Sequence, residues 1–175
     1  NLEQKLAKRV GVKVDWSGQE NLPAMKLDGK NLYIYAYQHV NPFLDNIALG
    51  HFPAKGVGMI GAVERVLPGL LAKQILGSDH YVPVDQVDPN DVDNTPGLDK
   101  LEHIVKSGKL AGFFLSPEGN TAAGLDDMRP ALPAFGNDLL TQVWARDLEI
   151  HIVPLSFPDD FQLFTDFNIR GWVKS

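Results

Sequence analysis

Two stretches of this 175-residue chain carry the residues best suited to chemistry: NLYIYAYQHVNPFLD, from Asn31 to Asp45, and GFFLSPEGNT, from Gly112 to Thr121. In the first, His39 and Asp45 flank Asn41-Pro42; in the second, Glu118 stands between Pro117 and Gly119. Imidazole has an unperturbed pKa of about 6.5, and an adjacent carboxylate stabilises its charged form, so a His held by an Asp is a general base tuned near neutral pH. No Gly-x-Ser-x-Gly elbow supplies a nucleophile, and Ser116 precedes a proline at the wrong kind of turn. A dyad without its own nucleophile takes the proton of a substrate hydroxyl while that oxygen attacks an activated carbonyl. Backbone N–H groups near Gly119, or at a helix start by Asn41, are the candidates for holding the oxyanion.

The elements that must position these groups follow from local pattern. Leu32 to Tyr37 is apolar, aromatic and β-branched, which predicts a buried strand, and Leu110 to Leu115 predicts a second. Asn is a good N-cap and Pro is favoured at the first helical position, so a helix is expected from Asn41-Pro42 through Leu49. His39 then precedes the cap and Asp45 lies about one turn inside. Helical side chains lean toward the N-terminus, which turns that carboxylate back toward the imidazole. An acid in a first turn also serves the helix macrodipole, and a carboxylate in a turn such as Glu118 also serves as a cap.

Elsewhere, Leu2 to Val10 reads as a short amphipathic helix, Val12 to Trp16 as a short alternating strand and Ser17 to Lys30 as irregular. Pro53-Ala54-Lys55 reads as a connection, and the apolar run Val57 to Leu76 as two short helices broken near Pro68-Gly69. Tyr81 to Val84 is a strand candidate. The acidic run from Gln86 to Gly97 reads as a solvated loop whose spacing does not match an EF-hand. Leu98 to Lys109 predicts a helix with a stop at Gly108, Gly136 to Arg146 another helix, and Glu149 to Phe157 another strand. Strands alternating with helices indicate an α/β fold, a mostly parallel or mixed central sheet flanked by helices, in a single domain over 1–175. Residues 1–30 form its lead-in and 31–157 its core. Ligands of such sheets bind outside the carboxyl ends of the strands, which is where His39 and Glu118 fall.

A formal charge of -6, with no clustered cationic stretch, argues against a nucleic-acid binder. The absence of cysteine removes disulfides and thiolate metal sites. No apolar run reaches the length of a membrane span. Asn1 to Arg9 is charged and lacks the apolar centre of a signal peptide, so none is expected there; the chain begins without Met, which fits residues removed upstream. His51, His103 and His151 are expected to be structural surface histidines without partners, since no two of them stand at a metal-ligand spacing.

Taken together, these residues resemble the glycerolipid acyltransferases that acylate lysophosphatidic acid and related acceptors. That family's first motif is a His, four residues and an Asp between a strand and a helix, the place held here by His39 and Asp45. Its F-P-E-G-T-R motif corresponds to Ser116-Pro117-Glu118-Gly119-Asn120-Thr121, and its strand ending in Val-Pro to Ile152-Val153-Pro154-Leu155. Ala54-Lys55 and LGSDHYVPVDQ are similar to its A-K and G-x-x-x-V-D-R stretches. The ordered set spans roughly Leu32 to Phe157.

The resemblance implies an O-acyltransferase with His39 as base and Asp45 orienting it, and with Pro117, Glu118, Gly119 and Asn120 shaping the acceptor pocket. The fatty acyl group comes from a thioester, acyl-CoA or acyl-carrier protein, as co-substrate, with no further cofactor and no metal. The acceptor is a lysophospholipid-like or related lipid, as in phospholipid biosynthesis, met at a membrane surface by a cytoplasmic, peripherally associated protein. Contact with that surface would run through the first helix or through residues upstream of Asn1.

The chain also departs from the pattern. Five residues separate His39 from Asp45, and Gln86, Thr121 and Phe135 stand where the family has cations. Arg and Lys are what bind phosphate well. Either the acceptor carries no phosphate, or Lys55, Arg65 or Arg129 makes the contact. A literal four-residue spacing at His80 and Asp85 brackets a short strand, which puts the two on opposite faces. These departures motivate the alternative of a catalytically degenerate lipid- or acyl-carrier-binding module.

Overall fold

The computed structural model describes residues 13–37, 48–62, 80–84, 94–116 and 141–156. Five strands make one sheet: β1 (Asn31–Tyr37), β2 (Val57–Ala62), β3 (Tyr81–Val84), β4 (Gly112–Leu115) and β5 (Glu149–Leu155). Their order is β3-β2-β4-β1-β5, and every described pair is parallel. Among the described residues one α-helix is complete, α1 (Thr95–Lys106), between β3 and β4 in sequence. The protein is α/β, and its described strands are all parallel.

The chain first moves outward from β1 to β2 and β3, leaving a gap that β4 later fills, and then crosses β1 to place β5 on the other side. Crossovers between parallel strands are right-handed, so reversing the direction of travel moves the connections to the other face. The packing follows. On one face Leu32, Ile34, Val82, Val84, Phe113 and Leu115 pack with α1 through Leu98, Leu101, Ile104 and Val105, and with Val143 and Leu148 ahead of β5. On the other face Tyr33, Tyr35, Tyr37 and Phe114 are covered by Trp16, Leu22 and Met25 from the lead-in and by Leu49 and Phe52 from the β1–β2 connection. Alternate residues of β1 therefore serve opposite cores, which accounts for its unbroken apolar run.

Two expectations fail. Val57–Ala62 is a strand, not helix. An apolar run has no periodicity that separates a buried strand from a buried helix, and the deciding contacts are distant. A Cβ at Gly58 would lie 2.6 Å from the Phe113 ring and 2.7 Å from the His80 carbonyl oxygen, so the bare glycine lets β2 close up beside its neighbours. Residues 13–16 do alternate between exposed and half-buried, yet they form no strand. Trp16 instead packs edge-on against Phe52, with ring centroids 5.1 Å apart.

The helix α1 begins at Thr95, so Thr95-Pro96-Gly97 belongs to it and not to the preceding loop. Pro in the first turn is tolerated because its missing N–H would have had no partner there. The helix ends as its glycine predicts: Gly108 has φ 68° and its N–H donates to the Val105 carbonyl. Lys100 Nζ donates to the Tyr81 carbonyl at 2.7 Å and pins α1 to β3. The helix expected over Gly136 to Arg146 is helical over 141–144, the part of it that is described before a closing turn. Arg146 ties that turn to α1 through Asp99 at 2.9 Å. No helix among the described residues is long and apolar enough to cross a membrane.

Candidate functional site

β1 and β4 are adjacent and parallel, with Ala36 level with Leu115. Their carboxyl ends, Tyr37 and Leu115, therefore open at one point on one edge of the sheet. From β1 the chain goes on to Leu49 and Phe52, which pack on the Tyr35 face; from β4 it goes on to Val143 and Leu148, which pack on the α1 face. Neighbouring strands whose connections depart to opposite faces define a topological switch point, the place where open α/β sheets hold ligands.

The candidates His39 and Asp45 follow β1 in sequence, and Pro117, Glu118, Gly119 and Asn120 follow β4; all six lie outside the described residues, as do Arg65, Asp85 and Arg129. What is described is the frame: Tyr37 is buried, and so is Ser116, the residue that links β4 to Pro117. Ser116 was set aside as a nucleophile on its sequence context. Ser116 is only 9% exposed and its Oγ has no hydrogen-bond partner among the described residues. No sequence signal distinguishes such an orphan from a serine satisfied by its own turn.

Lys55, one of the three cations offered above as a phosphate ligand, is the one that lies among the described residues. It lies two residues ahead of Val57, which is level with Gly112, itself level with Tyr33. Val57 is therefore four residue steps, roughly 13 Å along the strands, from the level of the end of β1. Lys55 belongs to the amino edge of the sheet. There it borders a shallow depression of about 390 Å³, with Ala54, Gly56, Lys109 and the lead-in residues Pro23, Ala24, Met25 and Leu27.

The histidines divide as well. His103 is exposed in the last turn of α1, an end of the helix that favours basic side chains. His151 is structural but not without partners: its ring stacks on Tyr33 at 4.7 Å between centroids, and its Nε2 meets Asn31 Oδ1 at 2.6 Å. Asn31 Nδ2 donates to Asp28 Oδ2 at 2.6 Å, so the amide oxygen is the acceptor facing His151, and Nε2 must carry the proton. Glu149 Oε1 lies 3.6 Å from the same nitrogen. This cluster also sits at the amino edge, at the start of β1 and β5.

Among the described residues no group of three or more His, Cys, Asp or Glu is placed to hold a metal ion. No family model matches the chain, and neither does any curated protein or any solved structure.

Proposed function

We propose that this chain is an O-acyltransferase of the glycerolipid type, with the acyltransferase-like form of the α/β fold, and that its site is the switch point between β1 and β4. The observation that carries this reading is the pairing of those two strands. The chain runs from the end of β1 into His39 two residues on, and from Leu115 into Glu118 three residues on, and Ala36 is level with Leu115. Two chemistry-bearing stretches far apart in sequence thus depart from one point, as a shared site requires.

In this reading His39 takes the proton of an acceptor hydroxyl as its oxygen bonds to the thioester carbonyl carbon. Collapse of the tetrahedral adduct breaks the C–S bond, and the proton passes to the leaving thiolate, giving the ester and the free thiol. Asp45 orients the imidazole and stabilises its charged form, and the Pro117–Asn120 turn shapes the acceptor pocket. The acceptor is lipid, met at a membrane surface.

The test is thioester consumption with lauroyl-CoA and a panel of lysophospholipid and monoacylglycerol acceptors. Acceptor-dependent CoA release by the wild type, lost in His39→Ala with the unfolding transition intact, is the expected result. Full transfer by that variant sinks the assignment of the base. Binding of acyl-CoA without release of CoA favours the degenerate binding module, which the longer His39 to Asp45 spacing motivates.

A further inference from the structure

We infer that the outer edge of β5 is a pairing surface for β5 of a second copy of this chain and that Pro154 holds it shut, a property independent of the acyltransferase reading. β3 and β5 are the outermost of the described strands. The outer strand of a sheet presents backbone N–H and C=O groups to any strand that comes beside it, and a proline there withholds a donor.

Which groups point outward follows from the ladder. The Glu149 N–H donates to the Lys30 carbonyl at 2.9 Å, with Glu149 level with Asn31. Backbone polar groups alternate in direction along a strand, so Glu149, His151, Val153 and Leu155 bond inward to β1, and Ile150, Ile152 and Pro154 face out. Pro154 therefore stands where its missing N–H leaves the β1–β5 ladder intact and spoils only the outer side.

β3 has the same arrangement with a second closure. Pro83 is level with Gly61 and cannot donate, so Val82 and Val84 carry the ladder to β2, and Tyr81 and Pro83 face out. That side is taken by α1: Lys100 Nζ donates to the Tyr81 carbonyl at 2.7 Å, and Gly97 lies against the Pro83 carbonyl. β5 is the more open edge, for Ile152 is 57% exposed and Pro154 is exposed as well.

The edge of β5 is complementary to itself. Antiparallel pairing of two copies about Ile152 sets the two isoleucines side by side and places Ile150 opposite Pro154 at each end. It takes exposed aliphatic surface out of water, yet leaves the Ile150 carbonyl at each end without a donor. Those two unmade bonds are what keep the copies apart.

Pro154→Thr restores the N–H with a strand-forming residue and adds little apolar surface. Light scattering of the full chain should show its weight-average mass rising toward twice that of the wild type at about 100 μM and returning on dilution, with the far-UV dichroism unchanged. Adding Ile152→Lys, which sets like charges at the centre of the pair, should bring the mass back to that of the wild type. Pro83→Thr should leave the mass unchanged, because α1 already covers that edge. Pro154→Ala restores the same N–H and repeats the test where the threonine variant fails to fold. Wild-type mass in the folded Pro154 variants overturns the proposal, as does association that survives Ile152→Lys or that Pro83→Thr matches. Acyl transfer does not enter the readout, so failure here leaves the proposed function standing, and the reverse holds.

Discussion

Asn31 and His151 are joined across β1 and β5 by a 2.6 Å hydrogen bond, although 120 positions separate them in the chain. Asn31 is 6% exposed and is held from the other side by Asp28, so its amide bridges the lead-in to the far edge strand. Asn31→Ala should destabilise the protein by about 1–3 kcal/mol, because it strands His151 Nε2 and removes a charge-assisted bond to Asp28. His151→Phe keeps a ring over Tyr33 and deletes only the hydrogen bond, at a cost of about 1 kcal/mol. Urea unfolding of both singles and the double variant should give a positive coupling between the two sites. Additive losses would show that the bond contributes nothing of its own.

Asp28 predicts an acid dependence. Backbone N–H groups of Lys30 and then Asn31 donate to its carboxylate and hold its pKa below the ordinary 3.8. A carboxyl group that is more acidic folded than unfolded stabilises the fold fully above its unfolded pKa. That contribution fades as pH falls through the lowered folded value. Asp28→Asn should therefore lower the melting temperature at pH 7 and flatten its decline below about pH 4. Melting curves of the two proteins that stay parallel from pH 7 to 2.5 would refute it.

Gly97 sits in the first turn of α1 against β3, where an added Cβ would collide with the Pro83 carbonyl oxygen. A helical glycine is ordinarily improved by alanine, by up to about 1 kcal/mol. Here the sign should reverse: Gly97→Ala must push α1 off the sheet, costing about 2–4 kcal/mol. Equilibrium denaturation decides between the two signs.

Tyr35 is fully buried between Phe52 and Phe114, and its hydroxyl has no hydrogen-bond partner among the described residues. Burial, and then the neighbouring Tyr33, raise its pKa above the usual phenol value. Removing an unmatched buried hydroxyl relieves a desolvation penalty, so Tyr35→Phe should be neutral or stabilising by about 1–2 kcal/mol. A loss of more than about 1 kcal/mol in urea would reveal a partner for that oxygen.

Local pattern alone determined four of the five strands, the helix α1 and its glycine stop, and the α/β class. Each of these rests on contacts within a few residues: the unbroken apolar run of β1, the spacing of Leu98, Leu101, Ile104 and Val105, the turn at Gly108. It also placed His39 and Glu118 just beyond strand ends, which remains the basis of the functional proposal. What the tertiary structure decided is which ends are neighbours. β2 is a strand because β3 and β4 flank it, a fact held in Phe113 and His80 and not in VGMIGA itself. Lys55 stands at the amino edge because β2 runs parallel to β4 and Val57, two residues on, is level with Gly112 at the start of β4. His151 gains its partners only when β5 pairs with β1. Periodicity records how each element meets water, whereas the strand order of a parallel sheet is set by crossovers whose contacts span dozens of residues.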